Sequence, residues 1–308
     1  MIRTIGFIIV SLFFIETKCI KHENPLFYFT AYDSIDIKVN ANFDSLGLLV
    51  NYSARVITPV CEKDKCYTIE IDFYWDPIGR FHRYDTISGE GLTKLDHEPF
   101  TQSDYSKLDN ILTNSNSILG SYTKEELVKN TRSSEIDGFT GATIKEIKES
   151  VIGGAVYSCF TLWHIANGSV ADSIQRNTKK LLNRDLVKKL VSQKDQKINY
   201  YLINNFTETD FAGYLPEVLQ TIEDGKGYFA KNAIEKMSED IVADSLSQLF
   251  FASNFNQLDY FAQVALLEKL NAKSLSEAMI ITLNENIDDR NSHKNELIKS
   301  LCNMRYTN

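Results

Sequence analysis

The stretch Tyr228–Met237 (YFAKNAIEKM) returns 32 residues later as Tyr260–Leu270 (YFAQVALLEKL). Each copy follows another amphipathic stretch, Tyr214 to Ile222 and Ser245 to Ala252. A third pair, Leu275 to Leu283 and Lys294 to Cys302, keeps nearly the same spacing. A helical pair recurring at about thirty residues is the mark of an α-solenoid, in which each unit buries its apolar face only against its neighbours. An irregular helical bundle is the other architecture such a pattern allows. No strand signal follows Gly168, so residues 169–308 are expected to be all helical.

The first half reads differently. Ile35, Ile37 and Val39 alternate with polar residues, and so do Tyr67, Ile69, Ile71 and Phe73. That is the period of a half-buried strand. Arg55–Cys61 and Cys66–Trp75 flank a charged tip, Glu62-Lys63-Asp64-Lys65, and Asp76-Pro77-Ile78-Gly79 has Pro and Gly where a four-residue turn uses them. Arg80 to Ile87 completes an antiparallel meander. Thr101–Leu112 and Thr123–Lys129 each open on a threonine suited to cap a helix, and Thr123 with Glu126 has capping-box spacing. Ile144 to Ala166 is apolar around most of its circumference and is expected to be one buried helix, with Gly153-Gly154 packed close to a strand. The fold class expected is α+β: an antiparallel-sheet domain over residues 19–168, then the helical domain.

Residues 1–18 have the form of an export signal. Met1-Ile2-Arg3 supplies a positive end and Ile5 to Ile15 is an eleven-residue apolar run. Such a run is shorter than the roughly 20 residues a membrane span needs. Cys19 stands where a lipoprotein carries its lipid, but Glu16 and Lys18 depart from a lipobox, so simple secretion and a lipid anchor at Cys19 both stay open. The expected location is the periplasm or cell envelope. In an exported chain, Cys61 and Cys66 read as a disulfide across the hairpin tip; a zinc site would need two more ligands, and none is nearby.

Net charge is −8, from 33 Lys and Arg against 41 Asp and Glu. A chain so balanced lacks the basic face that phosphate-backbone binding requires, which argues against nucleic acid as a partner. Five scattered histidines give no paired metal spacing, and no P-loop, haem-attachment or His-Glu-x-x-His motif occurs. Trp163-His164 reads as a satisfied core or capping histidine. The sequons at Asn51, Asn167 and Asn205 carry meaning only in a eukaryotic secretory pathway.

One motif carries chemistry. Asp137-Gly138-Phe139-Thr140-Gly141-Ala142-Thr143 precedes the apolar helix. Gly141 and Ala142 let a bulky group approach the backbone, and a helix N-terminus offers free N–H groups to a phosphate. The Thr143 hydroxyl is an attachment point for a phosphate ester. Asp137 is a carboxylate placed to bind a metal or orient an incoming group.

The pattern Asp-x-x-(Ser/Thr)-Gly-Ala-(Ser/Thr) resembles the flavinylation motif of FMN-binding domains, found in subunits of sodium-pumping quinone reductases, Rnf-type complexes and related exported redox proteins. The resemblance implies covalent FMN, attached by a flavin transferase that uses FAD and magnesium, with Thr143 as acceptor. Asp137, Thr140, Gly141 and Ala142 would form the recognition sequence. It also implies electron transfer with redox partner proteins not identified by the sequence. An electron carrier or redox subunit is expected more than a substrate-specific enzyme, and the sequence names no catalytic residue. The resemblance covers roughly residues 35 to 168, but only these seven residues are specific. The turn Trp75-Asp76-x-x-Gly79-Arg80 is similar to one between early strands of such domains. Family members often have a further Ser or Thr soon after the acceptor, where this chain has Ile144-Lys145. Leu92 to Phe100 would be either a cover for the flavin ring or a surface loop capping the next helix. Thr143 and Glu146 also have capping-box spacing, so a plain helix cap is the competing use of that threonine. The helical pairs resemble degenerate HEAT repeats, which implies partner binding or a buttress for the first domain; a non-redox exported adaptor is therefore the alternative function.

Overall fold

The computed structural model describes residues 26–30, 36–59, 68–87, 91–94, 97–123, 126–127, 145, 147–288 and 291–304. Residues 1–18, expected to be an export signal, Cys19, the expected hairpin tip with Cys61 and Cys66, and the whole motif from Asp137 to Thr143 lie outside the described residues.

The chain is α+β. Strands β1 (Leu26–Thr30), β2 (Asp36–Phe43), β3 (Leu49–Pro59), β4 (Thr68–Trp75) and β5 (Phe81–Thr86) form an antiparallel meander in sequential order. Alternation puts Ile37, Val39 and Ala41 of β2, Tyr52, Ala54 and Val56 of β3, and Ile69, Ile71, Phe73 and Trp75 of β4 on one buried face. The opposite face is polar. There Arg55 grips Asp72 through two bonds of 2.8 and 2.9 Å, and Arg83 lies 3.7 Å over the Tyr74 ring.

The expected turn at Asp76 is present, and it does more than join β4 to β5. The Asp76 carboxylate accepts from the N–H groups of Ile78 and Arg80 at 3.0 and 2.9 Å, the local bonding that makes aspartate a turn residue. Gly79 has φ +81°, and a Cβ there would sit 2.7 Å from the Ala171 Cα. Only glycine meets both conditions. The turn thus seats directly on helix α3 (Val170–Leu181), and Thr178 of that helix donates to the Pro77 carbonyl at 2.6 Å while accepting from the Tyr52 hydroxyl at 2.9 Å. Asn177 completes the chain by donating to the Tyr52 oxygen at 3.0 Å.

Helix α1 (Gln102–Thr113) and helix α2 (Val156–Asn167) pack together beneath the sheet. Thr101 and Asp104 form a reciprocal capping box for α1, as the threonine predicts. Eight of the twelve residues of α2 are buried, so it is the central core helix. The single helix expected from Ile144 to Ala166 is broken. Residues 145 and 147–149 are helical, the chain turns at Ser150, and α2 begins only at Val156. From Ile152 to Ala155 the chain makes a tight turn, the Ala155 N–H donating to the Ile152 carbonyl at 2.9 Å; Gly154 takes φ +76° in it, and the space around Gly153 is open. The glycine pair forms the centre of that tight turn, and Gly153 is not close-packed; two permissive residues in succession let the backbone reverse.

Beyond α3 the chain is helical to the end of the described residues. Helices α4 (Arg184–Val191), α5 (Gln196–Asn205), α6 (Glu208–Gly213), α7 (Leu215–Asp224), α8 (Phe229–Lys236), α9 (Glu239–Ala243), α10 (Ser245–Asn254), α11 (Tyr260–Lys269), α12 (Glu277–Glu285) and α13 (Ser292–Met304) follow in order. They stack in two rows, α4–α7–α10–α12 and α5–α8–α11–α13. Equivalent side chains recur at 32 residues: Val187, Leu219, Phe251 and Leu283 in one row, Leu202, Ile234, Leu266 and Ile298 in the other, all buried. The helix-opening residues keep the same interval, with Asp195, Asp259 and Asn291 each capping a helix of the second row. Four helical pairs therefore stand where three were expected; the added pair is α4 with α5. The sheet's core continues through these helices as far as Leu202, and a second core runs from Ile203 to Cys302.

Candidate functional site

The described chain reaches the flavinylation-like motif from both sides. Upstream, the Thr123 and Glu126 box is formed: the Thr123 N–H donates to Glu126 at 2.8 Å and the Glu126 N–H donates to the Thr123 hydroxyl at 3.3 Å. Leu127, the next residue, is fully buried. Downstream, Ile147 is buried in the same core, while Lys145 is exposed and lies 3.8 Å from Glu149. Lys107 of α1 donates to the Lys148 carbonyl at 3.2 Å, tying the short helical segment to α1. Asp137, Thr140, Gly141, Ala142 and Thr143 themselves fall outside the described residues.

The turn after that segment holds a cysteine. The Ile152 N–H donates to the Cys159 sulfur at 3.3 Å, and burial pushes the Cys159 thiol up to about 11. A thiol so buried stays protonated near neutrality and has little nucleophilic character. Cys302 is also a free, buried thiol.

Two further sequence features have structural roles. His164 bonds the Leu119 carbonyl through Nε2 at 3.1 Å and packs edge-on against Trp163, whose indole donates to Asn114 at 2.9 Å. It is a half-buried, hydrogen-bonded histidine in the last turn of α2, within the core-or-capping reading of the sequence. Leu92 to Phe100 folds back on itself through Lys94 and Glu98 and through Phe100 and Leu92, at 2.7 and 2.8 Å. Lys94 then reaches Asp104 of the α1 cap at 2.8 Å, and Tyr105 accepts the Leu92 N–H on its hydroxyl oxygen. These contacts belong to a loop that closes the α1 N-terminus. The Lys94 bond, with the Thr101 hydroxyl and N–H, holds the Asp104 carboxyl down at about 2.

Concave surface is found on the helical array. One cleft of about 450 Å³ lies where the α7–α8 and α10–α11 connections meet, with Tyr228, Phe261, Glu223 and Asp259 among its lining. Another of about 370 Å³ lies at the connections after α5 and α8 and includes Lys236, Ser238 and Lys269. The Lys269 ammonium there already donates to two carbonyls, of Glu235 and Met237. Sequence reading missed the first cleft, although the paired Tyr228-Phe229 and Tyr260-Phe261 doublets were its visible signal. Among the described residues no three His, Cys, Asp or Glu side chains gather as a metal site, and no helix is long and apolar enough to cross a membrane.

Comparison with known proteins adds no relative: a scan against protein-family models matches none, and searches of curated proteins and of solved structures return no match.

Proposed function

We propose that this chain is an exported electron-transfer flavoprotein carrying FMN as a phosphoester on Thr143. The observation that carries the reading is the seven-residue run from Asp137 to Thr143 at the start of a helical segment. Two features of the fold support it. Leu127 and Ile147, which bracket the motif in the sequence, are both buried in the first core, and Lys145, two residues past the acceptor, is exposed. In the attachment reaction the Thr143 oxygen would form the new P–O bond to the FMN phosphate of FAD, and AMP would leave with the electrons of the broken phosphoanhydride. Asp137 would orient the incoming group, and Gly141 and Ala142 would leave room for it. Bound FMN supplies one- and two-electron redox chemistry. A covalent tether suits a protein outside the cytoplasm, where a dissociating cofactor would be lost. In this reading the helical pairs are degenerate HEAT-type repeats that serve as a buttress.

The test is intact mass and in-gel fluorescence after co-expression with a flavin transferase. The expected product is heavier by one esterified FMN, fluoresces after denaturation, and loses both properties in Thr143→Ala while retaining them in Thr143→Ser. An unmodified band beside a flavinylated control substrate would overturn the proposal and return Thr143 to the role of a helix cap.

A second reading, an adaptor that binds a partner through its helical repeats, is favoured by the exposed aromatic cleft between α7–α8 and α10–α11.

A further inference from the structure

The aromatic cleft on the array has the composition of a cation-binding site. Tyr228 opens α8 and Phe261 lies in the first turn of α11, and the stacking of those helices brings their rings to 5.5 Å at an interplanar angle of 59°. Both remain in solvent, at 59% and 49% exposure. Solvent-exposed phenyl and phenol rings in contact are an unusual use of apolar area unless something covers them. Tyr260 packs edge-on against Phe261 at 5.5 Å and braces that wall of the corner. Phe250 and Leu258 form an apolar floor, and Glu223 and Asp259 stand in the same lining. One Asp259 oxygen accepts from the N–H groups of Phe261 and Ala262 at 2.8 and 3.0 Å, and the other is not used by the cap. None of the residues described as lining the cleft is a lysine or arginine.

We propose that this cleft binds a basic, apolar segment of a partner protein, with an arginine or lysine side chain seated against the Tyr228 and Phe261 rings. Aromatic faces carry a negative potential that attracts a cation, and flanking carboxylates add to it. The floor accepts an aliphatic neighbour of that side chain. Charge decides between this occupant and a second copy of the chain. With a net charge of −8, another copy would bring more carboxylates to a cleft that already has two. The inference stands apart from the flavin and survives or fails independently of it.

The experiment uses the full chain and a short fluorescein-labelled peptide of alternating arginine and leucine, read by anisotropy. A matched peptide with citrulline for arginine keeps shape and removes charge. The arginine peptide should bind, and the citrulline peptide should bind about tenfold more weakly or worse. The double variant Tyr228→Leu, Phe261→Leu should weaken the arginine peptide about fivefold, with an unchanged melting curve, since both side chains are exposed. These variants keep the net charge, so a peptide held only by general attraction to an acidic protein would bind them as tightly as the parent. That result would overturn the proposal, as would failure of the arginine peptide to bind. Concentration-dependent self-association of the parent, abolished by Phe261→Leu, would assign the cleft to a second copy instead.

Discussion

The polar bonds that close the sheet half, and that fasten it to the first pair of the array, join distant parts of the sequence. Trp75 to Ala166 spans 91 residues, Thr178 to Pro77 spans 101, Arg80 to Asp195 spans 115 and Lys189 to Asp44 spans 145. In the array the corresponding bonds join next-door units. Gln196 to Lys226 and Thr282 to Ala252 each span 30 residues, Lys294 to Gln263 spans 31 and Lys269 to Met237 spans 32. The first kind of contact exists only when the whole unit is assembled, so its parts stand or fall together. The second kind gives stability that accumulates from unit to unit. The two regimes meet in α5, whose Leu202 belongs to the first core and whose Ile203 belongs to the second.

Trp75→Ala should have the largest effect on the sheet half. Its ring is fully buried and stacked on Phe73 at 5.7 Å, and its indole donates to the Ala166 carbonyl at 2.8 Å. Truncation removes that packing and leaves a buried carbonyl unpaired, a loss of about 3–5 kcal/mol. The chain has two tryptophans, and both lie in the first core. Trp163 fluorescence therefore still reports on that core in the variant. Its denaturation midpoint should fall sharply while far-ultraviolet circular dichroism retains a later transition from the array. A single shared transition would show that α5 couples the halves into one cooperative unit.

Leu266→Ala makes the reverse test. Leu266 is fully buried in the second core, in the row that also holds Ile234 and Ile298. Cavity formation should cost about 3 kcal/mol. The loss should be seen in circular dichroism, with the tryptophan transition held at its parental midpoint. If fluorescence follows, the array supports the sheet half and is not an independent stack.

Legibility in the sequence follows the same division. Strand alternation and the Asp76 turn were readable because each depends on residues close together in the chain. The array was readable through its 32-residue period, but only where aromatic doublets made the repeat conspicuous. The pair α4 and α5 has the same buried rows, at Val187 and Leu202, yet carries Arg184-Asp185 and Gln196-Lys197 where the later units carry other residues. The break before α2 escaped notice because an apolar run through Val151, Ile152 and Ala155 fits a buried helix and a buried turn equally well, and periodicity alone does not separate them. The aromatic cleft joins residues from two repeats, and no local pattern announces that Tyr228 and Phe261 touch. For the Asp137–Thr143 motif the sequence remains the whole of the information, since its geometry lies outside the described residues.

The smallest effect expected concerns the cap of α1, and it probes whether acid acts on one half alone. The Asp104 carboxyl is held at about 2, against an ordinary 3.8, first by the Lys94 ammonium and then by the Thr101 hydroxyl and N–H. Its folded value lies below its unfolded one. The stability it contributes is therefore present above about pH 4 and is lost as pH falls from about 4 to about 2. Asp104→Asn should flatten the acid limb of the tryptophan-monitored stability profile by a small amount, because the pair sits near solvent and salt screens it. Asp44, Asp72 and Asp195 are also held below the ordinary carboxylate range, by Lys189, by Arg55, and, against the opposing pull of burial, by Arg80. Asp72 braces the sheet, and Asp44 and Asp195 tie it to α4 and α5, so a residual acid limb should persist in the variant. An acid limb as steep as the parent's would assign the slope to those three carboxylates and leave Asp104 with a purely geometric role in the cap.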